Sequence, residues 1–280
     1  MDNKELQIIA NEVRKGIISS THAAKAGHPG GSLSAADIFT FLYMEEMRVD
    51  PKNPMDPDRD RFVLSKGHTA PGLYAILAER EFFPKEDLIT LRKVGSHLQG
   101  HPSMKHTPGI DMSTGSLGQG ISAAVGMALA AQLDKKDYRV YSLLGDGEVQ
   151  EGQVWEAAMF AGAHHLDNLC IIVDNNGLQI DGKVEEVCSI SPLDKKFEAF
   201  NFYVETMDAH DFDSIRAAFA KARSNKGKPT AIIANSIKGK GVSYMENQAS
   251  WHGKAPNDAE YEIAMAELTK AGELMKAGEA

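Results

Sequence analysis

Two cysteines in 280 residues are too few for a disulfide framework, and they fall in unlike places: Cys170 in an apolar run and Cys188 in a predicted loop. They read as free thiols of a reducing compartment. No apolar run reaches membrane-spanning length. The opening stretch MDNKELQIIANEVRKG mixes acidic and basic residues and shows no signal-like segment. A cytoplasmic protein with no membrane partner is the expectation. Basic residues are also in short supply: 30 Lys and Arg against 39 Asp and Glu give a net charge of −9. That argues against nucleic acid as the main partner, and an anionic ligand would need local help from a metal, His, Lys or helix ends. Internal repeats and low-complexity linkers are missing too. What is present, 42% hydrophobic and 25% charged residues, suits one large α/β domain over residues 1–280 with a full core.

The most informative stretch is Leu143–Gly182. Two strand-like apolar runs, Val140–Leu144 and Leu169–Val173, each end in a polar, turn-prone cluster: Gly145–Asp146–Gly147 and Asp174–Asn175–Asn176–Gly177. Between them Gly152–Ala163 has helical spacing, with Val154, Ala157, Ala158 and Ala161 on one face. Strand–turn–helix–strand is the unit of a parallel sheet, so both turns lie at the edge where the strands' carboxyl ends form a ligand crevice. Asp146 offers a charged oxygen, Asn176 a neutral one, and a carbonyl near Leu178 a third. Hard oxygens on short loops suit Mg²⁺ or Ca²⁺ with phosphate oxygens completing the shell. Gly147 lacks a side chain, so its N–H can approach a phosphate, and the following helix start favours an anion. Either cluster alone is an ordinary turn; the pair at this separation is more specific.

Elsewhere, Leu6, Ile9, Ala10, Val13 and Ile17 predict a helix from about Lys4 to Ala24, and Ser34 is expected to cap a second helix reaching Met47. His28 sits between them on a glycine-lined loop. Phe62–Leu64, the turn Ser65–His68 and a helix through Leu73, Ile76 and Leu77 repeat the strand–turn–helix plan, which brings His68 to the crevice edge. A short helix is expected over Lys85–Arg92. Val94–Thr114 reads as a long irregular segment with His97, His101 and His106, whose spacing matches no zinc pattern. Gly118, Ser122, Gly126 and Ala130 predict a smooth helix face for tight packing, its start at Gly115–Gly118 assigned to the ligand. Lys183–Phe200 reads as a loop. Phe202–Thr206 and Thr230–Ala234 read as strands about a helix at Phe212–Arg223, and a last helix covers Asn257–Lys270. In the loop Ile237–Asn257, Lys238 and Lys240 are either solvated, the default for exposed lysines, or hold a lid near anions.

The GDG–NN pair resembles the diphosphate-binding signature of thiamine diphosphate enzymes. On that pair alone three alternatives stay open: the E1 component of a 2-oxo-acid dehydrogenase, a deoxyxylulose-phosphate synthase, or a non-catalytic protein of the same fold. The wider set, KAGHPGG (25–31), SKGH (65–68), GHP (100–102), TGSLGQG (114–120), GDGEVQEG (145–152), DNNGLQIDG (174–182) and WHG (251–253), occurs in the order seen in transketolases over almost the whole chain. The chain resembles the N-terminal, diphosphate-binding part of that family, as the stand-alone subunit of a split form. The fold implied is a mostly parallel sheet with helices on both faces.

The resemblance implies that Asp146, Asn176 and the Leu178 carbonyl bind the divalent metal, Mg²⁺ or Ca²⁺. It implies that His68, the Gly147 backbone and His252 bind the diphosphate of thiamine diphosphate, with Gly115, Ser116, Leu117 and Glu148 beside the cofactor. His28, His101 and His252 would be catalytic, steering hydroxyls and moving protons near the reacting carbons together with His68. Glu151 would join a carboxylate network linking paired sites across an interface. Ser116 departs from the family, where many single-chain members carry Pro. So does the length: the domain carrying the activating Glu and the sugar-phosphate arginines has no counterpart here. The expectation is a half-enzyme that joins a separate C-terminal subunit, as an α₂β₂ assembly, to move a two-carbon ketol unit between sugar phosphates.

Overall fold

The structure is a computed structural model that describes residues 1–278; the last two residues of the expected 1–280 domain lie outside the described residues. Five strands make the main sheet: β1 (Arg61–Leu64), β2 (Val140–Gly145), β3 (Leu169–Asn175), β6 (Tyr203–Asp208) and β7 (Thr230–Asn235). Their order is β1-β2-β3-β7-β6, and every neighbouring pair is parallel. A second, two-stranded antiparallel ribbon joins β4 (Leu178–Gln179) to β5 (Gly182–Lys183).

Alternation along the strands divides the apolar residues between two cores. Tyr141, Leu143, Cys170, Ile172 and Ile232 face one core, with α1 (Asn3–Ala24), α3 (Ala36–Phe41), α4 (Ala70–Glu79), α9 (Phe212–Ser224) and α10 (Asp258–Ala277). Val140, Leu144, Ile171, Val173 and Ile233 face the other, with α5 (Gln119–Leu133), α6 (Gly152–Ala163) and α8 (Leu193–Ala199). Helices therefore cover both faces, which is why the strands read as near-continuous apolar runs. Val154, Ala157, Ala158 and Ala161 are all buried, as their spacing predicts. Each fully buried side chain of Leu or Ile size contributes about 1.5–3 kcal/mol.

Asp2 and Glu5 form a capping box that starts α1, and Asn257 and Glu260 do the same for α10. Four expectations change. Ser34 is not a cap: α2 (Pro29–Ser34) begins earlier, with Pro29 supplying a preset first turn. Continuation towards Met47 is by α3 and a π-helical turn, Leu42–Glu46. Lys183–Phe200 is not a loop but contains α7 (Val184–Cys188) and α8, because Val184, Leu193 and Phe197 bury against the second core. The small-residue face of α5 is packed only at its start: Gly118 is buried against Glu151, whereas Gly126 and Ala130 are exposed, and a Cβ on Gly126 would meet nothing within 4 Å.

Candidate active site

Parallel strands deliver their following turns to one edge. The turns after β1, β2, β3 and β7 bring Lys66, Asp146, Asn176 and Lys238 into one cleft, with about 520 Å³ of empty space, which His68, Leu117, Gly147, Leu178 and His252 also line. Glycines let the walls come this close. A Cβ on Gly67 would lie 2.7 Å from the Gly115 backbone nitrogen, and one on Gly30 would lie 2.8 Å from the Trp251 carbonyl oxygen.

Asp146 and Asn176 occupy adjacent turns. Asp146 Oδ1 accepts the Gly147 N–H at 2.8 Å, and Oδ2 accepts the Gly177 N–H at 2.5 Å. Asn176 Oδ1 accepts the Leu178 N–H at 3.1 Å, while its amide donates to Asp174 Oδ2 at 3.0 Å. The Leu178 carbonyl points into the same space, where the Lys238 ammonium donates to it at 3.0 Å. Burial and the nearby Asp174 push the Asp146 carboxyl up to about 6, against the pull of the two N–H donors and Lys238. Burial lowers Lys238 to about 8. A carboxylate that holds its charge with difficulty, an amide oxygen and a carbonyl oxygen occupied by an ammonium form a donor set suited to a hard divalent cation. The residues present fit a metal–diphosphate group.

Three histidines cover the cleft. The ring centroids of His28, His68 and His252 lie 5.1, 5.4 and 5.0 Å apart in the pairs 28–68, 28–252 and 68–252. Lys238 Nζ stands 3.1 Å from His252 Nδ1; an ammonium can only donate, so this nitrogen accepts and Nε2 carries the proton. Burial, with Lys238 next, depresses His252 to about 3. Burial, then Arg92, His101 and Lys238, depresses His28 to about 4. His68 is driven well below its ordinary value by burial and Lys66. All three rings are neutral near pH 7, and His28 Nδ1 is buried with no hydrogen-bond partner among the described residues. His101 is exposed at the rim beside this trio: its ring is 3.0 Å from where a Gly115 Cβ would be, and its carbonyl accepts the Tyr74 hydroxyl at 3.0 Å.

The other expected residues divide. Leu117 lines the cleft and is 36% exposed; Ser116 is exposed beside it. The Gly147 N–H is committed to Asp146 rather than facing outward. Glu148 is a brace: buried, it accepts from the Ser65 hydroxyl, the Gly118 N–H at 2.9 Å and the Gly145 N–H at 3.0 Å, tying three loops together. Glu151 does not join the cleft; it lies exposed at the start of α6. Lys238, expected in solvent, is only 2% exposed, because the loop after β7 folds back over the site.

Two buried partners were not assigned by sequence reasoning. Asp174 accepts from Lys66 Nζ, the Ser34 hydroxyl at 2.6 Å, the Asn176 amide and the Ser236 hydroxyl. Burial alone would raise its carboxyl, but Lys66 and the hydroxyls hold it below the usual value. Lys66 and Asp174 both lie inside the ordered motifs; the signal available was their place at the carboxyl ends of two parallel strands, β1 and β3, with β2 between them. Among the described residues no group of three or more His, Cys, Asp or Glu forms a metal cluster, so His97, His101 and His106 do not make one. No helix among them is long and apolar enough to cross a membrane.

Comparison with known proteins agrees with this geometry. Residues 6–271 match the family described as "Transketolase, thiamine diphosphate binding domain". The chain is 47% identical over 268 residues to a 6-deoxy-6-sulfo-D-fructose transketolase subunit from Clostridium sp. (strain MSTE9), covering 96% of this chain and 98% of that one. It is 42% identical to an apulose-4-phosphate transketolase subunit from Phocaeicola vulgatus, covering 99% and 98%. The solved transketolase of Campylobacter jejuni superposes with a TM-score of 0.89 at 33% identity, over 100% of this chain and 48% of that chain. The chain thus spans about half the length of that enzyme and nearly the whole of the subunit-sized relatives. With its parallel sheet and the Asp146–Asn176 cleft, the chain belongs to the transketolase family, as its thiamine diphosphate binding domain.

Proposed function

We propose that the chain is the cofactor-binding half of a two-chain transketolase, a transferase that moves a two-carbon ketol unit from a ketose phosphate to an aldose phosphate once a C-terminal subunit is bound. The observation that carries this reading is the Asp146, Asn176 and Leu178 oxygen set beneath three neutral histidines. The subunit names of the relatives support a separate partner, and we infer an α₂β₂ assembly.

In this reading Asp146, Asn176 and the Leu178 carbonyl hold Mg²⁺, or Ca²⁺, and metal entry requires Lys238 to release Leu178. His68 and His252 take the diphosphate, and the Gly147 N–H joins them once Asp146, its present acceptor, turns to the metal; Gly115, Ser116 and Leu117 lie along the cofactor's side, with Glu148 bracing the loops. Bound thiamine diphosphate supplies the carbon nucleophile and electron sink that cleavage of a carbon–carbon bond needs. His28 and His252, neutral at working pH, accept or return protons at the sugar hydroxyls. His101 orients the sugar from the rim. Glu151 faces outward, suited to linking paired sites across a self-interface. The partner would supply the activating Glu and the arginines for the sugar phosphate. We read residues 1–280 as one domain, working in the cytoplasm in sugar-phosphate metabolism such as the pentose phosphate pathway; the exposed free thiol of Cys188 supports that compartment.

The test is thermal unfolding of the full chain with thiamine diphosphate and Mg²⁺, followed by ketol-transfer assays with and without the co-purified partner. A rise in melting temperature reversed by chelation, and activity only with the partner, are the expected results. Ordinary turnover by this chain alone would overturn the half-enzyme.

A further inference from the structure

We propose that His210 is a positioning residue for the cleft: its neutral ring, fixed by Asp37, presents Nε2 as the acceptor that holds the Ile237 N–H and so sets the Ser236–Lys238 segment in place. The proposal rests on the reading above, in that Lys238 is taken to work at the metal–diphosphate site.

The geometry defines the ring's protons. Arg14 donates to both oxygens of the buried Asp37, at 3.0 and 2.5 Å. His210 Nδ1 lies 2.7 Å from Asp37 Oδ2. Burial would raise the Asp37 carboxyl, but Arg14 and His210 outweigh it and hold it at about 2. An ionised carboxylate only accepts, so Nδ1 carries a proton. The Ile237 N–H donates to Nε2 at 2.9 Å, so Nε2 carries none. The partners thus assign one neutral tautomer. The charged groups around the ring are Arg14 from α1, Asp37 from α3, Asp208 at the end of β6, whose Oδ1 accepts the His210 N–H at 2.8 Å, and Lys240 beyond β7.

Ile237 is the middle of a pinned segment. Before it, the Ser236 hydroxyl donates to Asp174. After it, Lys238 reaches Leu178 and His252, the Gly239 N–H donates to the Gly30 carbonyl at 2.9 Å, and the Lys240 carbonyl accepts Arg14 Nε at 3.1 Å. With the ring removed, nothing at the Nε2 position accepts the Ile237 N–H, and Lys238 and Ser236 would loosen together.

A glutamine can imitate the ring, donating to Asp37 and accepting from Ile237. The test compares wild type, His210→Gln and His210→Ala as full chains. It reads amide-exchange protection over Ser236–Lys240 and the affinity for thiamine diphosphate with Mg²⁺. At neutral pH, His210→Ala should lose about tenfold in Ile237 protection, the equivalent of roughly 1.4 kcal/mol, and a similar factor in affinity. His210→Gln should keep both. Protection in His210→Ala within twofold of wild type, or in His210→Gln as low as in His210→Ala, overturns the proposal. If His210→Ala does not fold, a tenfold loss of Ile237 protection in His210→Gln overturns it. If the wild-type chain binds no thiamine diphosphate at all, the functional reading falls, and the exchange result still decides the role of His210.

Discussion

Asp37 and Asp146 are both buried aspartates of one domain, and they have opposite electrostatics. Asp37 has more than enough donors: a two-pronged Arg14 and the His210 ring outweigh its burial and keep it ionised, at about 2. Asp146 has two backbone N–H groups, a like-charged neighbour in Asp174 and the weak pull of a single lysine, Lys238; burial and Asp174 win, and it rises to about 6. A carboxylate with full partners serves the fold. One left short of positive charge, in a cleft with two further oxygens turned inward, is what the proposed cation site calls for. The difference separates architecture from function more sharply than burial does, since both residues are almost fully enclosed.

The largest effect expected from this contrast is on stability. Asp37→Ala would strand Arg14 as a buried, unpaired charge and should cost about 3–5 kcal/mol in urea unfolding; a loss under about 1 kcal/mol would erase the distinction. Asp146→Ala should do the reverse. Calorimetry should show about a 100-fold loss of thiamine diphosphate affinity at fixed Mg²⁺, roughly 2.7 kcal/mol, while the ligand-free chain unfolds no more easily than wild type. Acid titration should split the pair by sign. The folded value of Asp37 is depressed from 3.8 to about 2, so its contribution is full above about pH 4 and disappears as pH falls towards 2. The folded value of Asp146 is raised from 3.8 to about 6, so in the ligand-free chain its contribution is present below about pH 4 and is lost as pH rises through 6. Metal needs the ionised form, so Mg²⁺ affinity should climb up to tenfold per pH unit towards 6 and then level; an affinity flat from pH 4 to 7 would remove Asp146 as the ligand. The smallest effect tests Asp174, which sits beside Asp146 but is saturated like Asp37. Ser34→Ala removes one of its four donors and should cost about 1 kcal/mol of stability, with cofactor affinity changed only a few-fold.

The central strand–helix–strand unit was legible because its signals agree: apolar runs of strand length, helical spacing between them and turn residues at both ends. Asp146, Asn176 and His68 were legible with it, since parallel strands must send their turns to one side. Lys238 was not. A lysine in a Gly- and Lys-rich loop has no sequence mark of burial, and only the return of that loop over the site encloses it. Ser34 was misread for a related reason: its hydroxyl fits a cap by local rules, yet its partner, Asp174, lies 140 positions away. Helices α7 and α8 were hidden because Val184, Leu193 and Phe197 are too sparse to show a period and form helices by packing on the second core. The exposed far end of the small-residue face of α5 shows the limit of spacing arguments. A pattern tells which residues share a face, and the surroundings decide whether that face is covered.

The strand order also sets when the cleft can exist during folding. Asp146 and Asn176 belong to one local unit, but Lys66 and His68 arrive with β1, and Lys238 and His252 follow β7, on the far side of β3. Closing those long chain separations is slow compared with forming the central unit. The complete pocket is therefore expected to form late, after the central unit. Thiamine diphosphate with Mg²⁺, added at the start of refolding, should leave the folding rate unchanged and slow only the unfolding rate. The cofactor would then act as a latch on the finished chain and not as a template for it.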